Sequence, residues 1–252
     1  MVWIREVAGP ERICLEEPLA REACHLGWRR PMAGDRGRGV FLHSQLGYSA
    51  PDNWKRIREN LLLPIDPENH VLELFEGALQ GDEISFGPSP MGFFFPYGFH
   101  YEDEVEKATI EFYMDHAERY VGYPMWSSFY SVWAARAGET ERSLEFLEEG
   151  IASRVRSPYR QFAEIAPRHD RYGFMSKNVN FVTAAGGLVT SMILGFPGIQ
   201  LRESNPSEWC EYAPAMPQGW NSIEIERMWI RGKPARVVAT VGDGAATVEF
   251  LE

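Results

Sequence analysis

Apolar and polar positions change their rhythm several times along the chain. From Asn53, "NWKRIRENLLL" places Trp54, Ile57 and Leu61 at helical spacing, and Pro64 follows, so the pattern predicts a helix that stops before the proline. "HYEDEVEKATIEFYMDHAERYV" carries Val105, Ala108, Phe112 and His116 on one stripe between charged positions, the clearest amphipathic helix in the sequence. In "MWSSFYSVWAARAGETERSLEFLEEGIASRV" a helix runs to a C-terminal signal at Gly138, and Thr140 is placed to cap a second one. So short a connection favours antiparallel neighbours.

The run "NVNFVTAAGGLVTSMILGFPGIQL" (178–201) is the most apolar of all. A bilayer crossing needs about 20 uninterrupted apolar residues, whereas Thr183, Thr190, Ser191 and the Gly186/Gly187 pair break this one. It therefore reads as a core helix that begins after a loop containing Pro167 and Gly173. Past it, a linker rich in proline and glycine occupies 203–219, and the period then falls to two. Ile223 and Ile225, then Val237, Ala239 and Val241, alternate around turn signals at Gly232 and "GDG", which predicts a small antiparallel sheet. Residues 1 to about 50 show no sustained period and are expected to be loop. The fold class is mainly α: helical hairpins, then β structure.

Composition narrows the function classes. With 252 residues, 24% charged and 44% hydrophobic, the chain has a globular profile. A formal net charge of -11 disfavours nucleic acid or an anionic membrane as partner, and leaves neutral small molecules compatible. Cys14, Cys24 and Cys210 have no zinc-site spacing, and the six histidines have none of the helical spacings of a metal site, so free thiols and no metal are expected. No cofactor signature is present. The N-terminal stretch carries Glu6, Glu11, Glu16 and Glu17 without an apolar h-region, so a cytoplasmic protein is expected.

Three features invite chemistry. The "AAGG" at 184–187 has neither a Walker loop nor a GxGxxG pattern. Its glycines serve either close helix packing or the close approach of a sugar or water to the main chain. Glu164 in "SPYRQFAEIAPRHD" lies among Tyr159, Phe162, Ala163 and Ile165. It is either a solvated loop carboxylate or a partly buried one suited to general acid–base work. The aromatic run "MGFFFPYGFHY" (91–101) fits a core, or a wall that grips the apolar faces of sugars.

Taken in order, "LQGDEISFGPSP", "SSFYSVWAARAGETERSLEFLEEGI", "YRQFAE", "NFVTAAGGLVTSMILGFPGIQL" and "MPQGWNSIEIERMWIRGKPARVVATV" resemble the second half of glycoside hydrolase family 65, over roughly Asn53 to Phe250. The resemblance implies part of an (α/α)6 barrel over 1–202, with 1–50 poorly matched, and a small β domain over 203–252. It implies inverting chemistry on α-glucosides such as α-1,2-linked glucosyl disaccharides, with a small carbohydrate as ligand. The family's phosphorylases carry a threonine-glutamate-glycine-isoleucine-histidine stretch that helps hold phosphate, and no such stretch occurs here. Its hydrolases have an aromatic shortly before a glutamate, then asparagine-phenylalanine and a double glycine. Phe162, Glu164, Asn180, Phe181 and Gly186/Gly187 match that arrangement.

By this resemblance Glu164 is the general base, and Phe162, Gly186, Gly187 and Gln80 contribute to the sugar site. An inverting pair needs its acid about 6.5 to 9.5 Å from the base, so that one water fits between. In the family the acid belongs to a Gly-Pro-Asp-Glu-Tyr motif, and here Gly9, Pro10 and Glu11 offer a partial match, which makes Glu11 the candidate. Leu79-Gln80 stands where the family has lysine-glutamine, removing a charge-assisted hydrogen bond to a sugar hydroxyl. Half a toroid leaves apolar helix faces open, so a second copy or a companion chain is expected to cover them. The alternative reading is an inactive homologue that serves as a binding or assembly subunit, with an inverting phosphorylase ranked behind it.

Overall fold

The computed structural model describes residues 2–5, 12–15, 47–49, 61–79, 88–151, 154–164, 171, 173, 174, 177, 180–202 and 204–252. The chain forms two compact units, Met1–Tyr113 and Met114–Glu252.

In the first unit, strands β1 (Val2–Arg5), β2 (Arg12–Leu15) and β3 (Leu61–Leu62) make an antiparallel sheet in the order β2-β1-β3. Two expectations are corrected here. The opening residues were expected to be loop, yet Val2–Arg5 pairs with Arg12–Leu15 through four partners. Segments of four residues are too short to display a period, and β-branched and aromatic residues such as Val2, Trp3 and Ile4 favour the strand. Leu61, expected at the end of a helix, pairs with Ile4 instead. Trp54 and Ile57 lie outside the described residues.

Two buried carboxylates organise the loop that follows. Asp66 accepts from the Asn69 backbone at 2.7 Å and its side chain at 2.8 Å, while Glu73 accepts from the N–H of Gly77 at 2.9 Å and of Leu79 at 2.8 Å. Backbone donors satisfy both, which is the condition for burying such groups. Helix α1 (Asp103–Asp115) holds the same loop: the Leu72 N–H donates to Thr109 Oγ1 at 2.9 Å and Tyr113 donates to the Leu72 carbonyl at 3.2 Å. The helix was legible, but its buried line is Val105, Thr109 and Tyr113, with Ala108 and Phe112 only half-buried. His116 falls just beyond its end. The aromatic run is largely core: Met91, Phe94, Phe95 and Phe99 are buried, while Tyr97 and His100 are exposed.

The second unit contains α2 (Pro124–Arg136), α3 (Thr140–Ile151), a short ribbon of β4 (Val155–Arg156) and β5 (Gln161–Phe162), and α4 (Val182–Thr190). Pro124 opens α2, where a missing N–H costs nothing. Gly138, with φ of 79°, closes it in the left-handed conformation. The Ser143 N–H bonds the Glu139 carbonyl, so Glu139 is the cap and Thr140, expected in that place, is the first helical residue. Helix α4 continues into a π-turn at Ser191–Gly195.

The tail forms the expected sheet, β6 (Ser222–Ile230), β7 (Lys233–Thr240) and β8 (Thr247–Phe250), in the order β6-β7-β8. Arg231 and Gly232, both at positive φ, form the tight turn between its first two strands. Ile223, Ala235, Val237 and Ala239 face inward, and join Ala135, Leu147 and Phe196 in one core shared by helices and sheet. Val241 lies past the strand end and is exposed. Cys210 is a free thiol whose pKa burial pushes up, and the other two cysteines are not described beyond the backbone of Cys14. Among the described residues, no helix is long and apolar enough to cross a membrane.

Small residues set the distances between helices. A Cβ added to Gly150 of α3 would lie 2.6 Å from Ser127 Oγ on α2, and one added to Gly187 of α4 would lie 2.7 Å from Ser128 Cβ. One added to Gly195 would lie 3.0 Å from a Val132 methyl. The buried serines are satisfied: Ser128 Oγ donates to the Pro124 carbonyl at 2.9 Å, and Ser191 Oγ donates to the Ser128 carbonyl at 3.0 Å. Gly186 differs, since nothing lies within 4 Å of a Cβ built there. Gly187→Ala is therefore expected to lower stability by about 1–3 kcal/mol through overpacking. Gly186→Ala is expected to raise it by up to about 1 kcal/mol through helix propensity. Thermal melts of the two variants check this, and equal shifts of the same sign would contradict the packing assignment.

Candidate active site

Residue 164 owes its place to a ribbon of two short strands. Val155 pairs with Phe162 and Arg156 with Gln161, and the turn between them contains Pro158 and Arg160, the latter at positive φ. The ladder extends one step further, because the Ala163 N–H donates to the Arg154 carbonyl at 2.9 Å. Side chains alternate across such a ribbon. Arg154 and Ala163 point inward and are both 0% exposed. Val155 and Phe162 therefore lie on the opposite, more open side. Glu164 follows at a bend, half-buried, intermediate between the solvated and the enclosed carboxylate.

One hydrogen bond ties this ribbon to α4. The Phe181 N–H, at the N-cap of the helix, donates to the Phe162 carbonyl at 3.0 Å. Asn180 just before it sits at φ of 66°, a conformation that asparagine tolerates better than most side chains, and it turns the chain into the helix. The start of α4 is thereby fixed beside the peptide two residues ahead of Glu164. Helix N-termini carry unpaired N–H groups and partial positive charge, and the first turn of α4 contains no acidic residue to occupy them. Half-buried Glu164 thus follows a strand whose Phe162 carbonyl meets the start of α4.

The glycine pair divides. Gly187 is packed on Ser128 of α2, which is the packing reading, while Gly186 is exposed with open space above it, which is what close approach by a ligand requires. Alongside Gly186, Val182 is 76% exposed and Val189 is 52% exposed, so one face of α4 is apolar and open rather than core. The run at 178–201 was expected to be a core helix. Its buried positions are Ala184 and Ser191 on the opposite face and the unbroken stretch Gly195 to Gln200.

Glu11 and Gln80 lie outside the described residues. Next to the latter, Leu79 is half-buried, and the Glu73 carboxylate receives its N–H, so the turn leading into Gln80 is anchored by its backbone. Among the described residues, no group of three or more His, Cys, Asp or Glu stands together as a metal site.

Sequence reasoning passed over Arg154. It is the largest fully buried side chain of the described residues, and its guanidinium donates from Nη1 to the Glu149 carbonyl and from Nη2 to the Gly122 carbonyl. Burial, with the neighbouring Arg156 charge adding to it, lowers its pKa to about 10, so it stays protonated at neutral pH. The available signal was an arginine at the base of "RVRSPYRQFAE", two places before another arginine on the same side of a strand.

No family model matches the chain. It is similar to two curated proteins. A protein-glucosylgalactosylhydroxylysine glucosidase of Danio rerio is 22% identical over 187 residues, 74% of this chain and 26% of that protein. A kojibiose hydrolase of Mucilaginibacter mallensis is 24% identical over 119 residues, 47% of this chain and 16% of its own length. Among solved structures, a putative kojibiose phosphorylase from human microbiome aligns over 83% of this chain and 29% of its own, at 12% identity and a TM-score of 0.45. The matched stretch thus spans about a quarter of the first relative and less of the second. Over that partial length, the chain is similar to glucosidases of the glycoside hydrolase family 65 type.

Proposed function

We propose that this chain carries the general-base part of an inverting α-glucosidase site acting on small α-glucosides, including α-1,2-linked glucosyl disaccharides. The observation that supports the reading is the joint between Phe162 and Phe181, which ties the strand leading into Glu164 to the start of the helix bearing Gly186. The two curated relatives bear the names of enzymes that act on glucosides, which supports the same substrate class.

The chemistry follows from a carboxylate in that position. Glu164 takes a proton from water as the water oxygen bonds to the anomeric carbon. The bond to the glycosidic oxygen breaks from the opposite face, and an acid donates a proton to the departing oxygen. Configuration inverts, so an α-glucoside yields β-glucose. The resemblance assigns the acid to Glu11. Gly186 would let the sugar approach the helix backbone, and Phe162 would cover an apolar sugar face.

Incubating the purified protein with kojibiose while following anomers by NMR tests the reading. β-Glucose is expected first, with release reduced at least about 100-fold in Glu164→Gln, the scale of a lost general base. Added phosphate is expected to give no glucose 1-phosphate. Absence of glucose above buffer from folded protein at high concentration would refute catalysis by this chain alone.

The open apolar face of α4 favours a second reading, an assembly subunit whose helix face meets another chain. Sedimentation velocity distinguishes the two. An assembly subunit would form a dimer that Val189→Lys disrupts, and a monomer across the concentration range would contradict it.

A further inference from the structure

A buried cation lies beneath the ribbon, on the side away from its open face. Arg154 is 0% exposed, and its guanidinium donates to main-chain oxygens of Glu149, in the last turn of α3, and of Gly122, two residues ahead of α2. Carbonyls at a helix C-terminus lack intrahelical donors and carry partial negative charge, so a cation is well matched to the first of these. The planar guanidinium can reach both carbonyls at once, which a lysine ammonium on a single stem does less well. At the same residue, the main-chain carbonyl accepts from the Ala163 N–H at 2.9 Å. One residue thus joins the end of α3 and the entry of α2 to the strand position immediately before Glu164.

Burying a cation is costly compared with burying an apolar side chain of similar size. A residue that only filled space here would be better apolar. What the cation supplies is fixed geometry at the base of the ribbon. The opposite side of the same ribbon is tied to α4 through Phe162, so the chain from Phe162 to Ala163 is held from both directions before it reaches the carboxylate.

We infer that Arg154 is a positioning residue for Glu164, holding the peptide that precedes the carboxylate against the ends of two helices so that the base keeps a productive orientation. The inference rests on the reading of Glu164 as general base.

Arg154→Met and the conservative Arg154→Lys are to be compared with the parent protein, each also in the Glu164→Gln background, with circular dichroism to establish folding. Amide hydrogen exchange at Ala163 is expected to quicken by at least about tenfold in Arg154→Met while amides in the middle of α2 are unchanged. On kojibiose, kcat is expected to fall by at least about tenfold with KM within about twofold, partial recovery in Arg154→Lys, and no additional loss when Arg154→Met is added to Glu164→Gln. Unchanged exchange at Ala163, or a loss that adds in full to that of Glu164→Gln, would overturn the positioning role. If Arg154→Met does not fold, Arg154→Lys decides by the same two readings. Wild-type turnover in Glu164→Gln would instead refute the base assignment, and Ala163 exchange would still report whether Arg154 fixes the strand.

Discussion

The approach of α4 to α2 is the constraint from which the candidate site follows. Glycine at 187 and 195 removes the side chains that would hold the two helices apart, and Ser128 fills the first of the resulting gaps. Ser191 then bridges them by donating to the Ser128 carbonyl, while the π-turn that begins at this serine leads the chain out of the helix and into the core. With its body fixed in this way, α4 has little freedom at its N-terminus. Phe181 meets Phe162, and the carboxylate two residues further on is held near the start of the helix. A π-turn within a helix often accompanies a functional site, and here it lies at the far end of the helix that carries Gly186.

Legibility in the sequence followed the length and regularity of each element. Helices α1 and α3 were readable because each repeats its pattern over three turns, α2 because Gly138 marks its end, and the tail sheet because alternation and Gly232 agree with one another. Two short strands near the start, Val2–Arg5 and Arg12–Leu15, were missed: a four-residue strand offers no period, and only its partner reveals it. Leu61 was taken for a helical position because leucine suits either structure, and pairing with Ile4 decided the matter. The stripe on α1 was displaced by one residue because Thr109 is polar by type yet buried, its hydroxyl occupied by the Leu72 N–H.

Within the candidate site, residue identity was more legible than residue role. The double glycine looked like one feature and is two, since neighbouring positions on a helix point about 100° apart, one toward α2 and one toward solvent. Arg154 was passed over because arginine is ordinarily a surface residue. Only the ribbon's alternation and the nearby carbonyls show why it is enclosed. Glu164 was picked out by resemblance and by its apolar neighbours, and it lies half-buried at the bend after Ala163.

In the proposed site the carboxylate of Glu164 faces the sugar. Carboxyl carbon NMR on protein labelled at glutamate, with the resonance assigned by its loss in Glu164→Gln, measures this directly as glucose is titrated in. The account predicts a saturable displacement of the Glu164 resonance while those of Glu224 and Glu226 on β6 stay fixed. A stationary Glu164 resonance at sugar concentrations that shift other parts of the spectrum would contradict it.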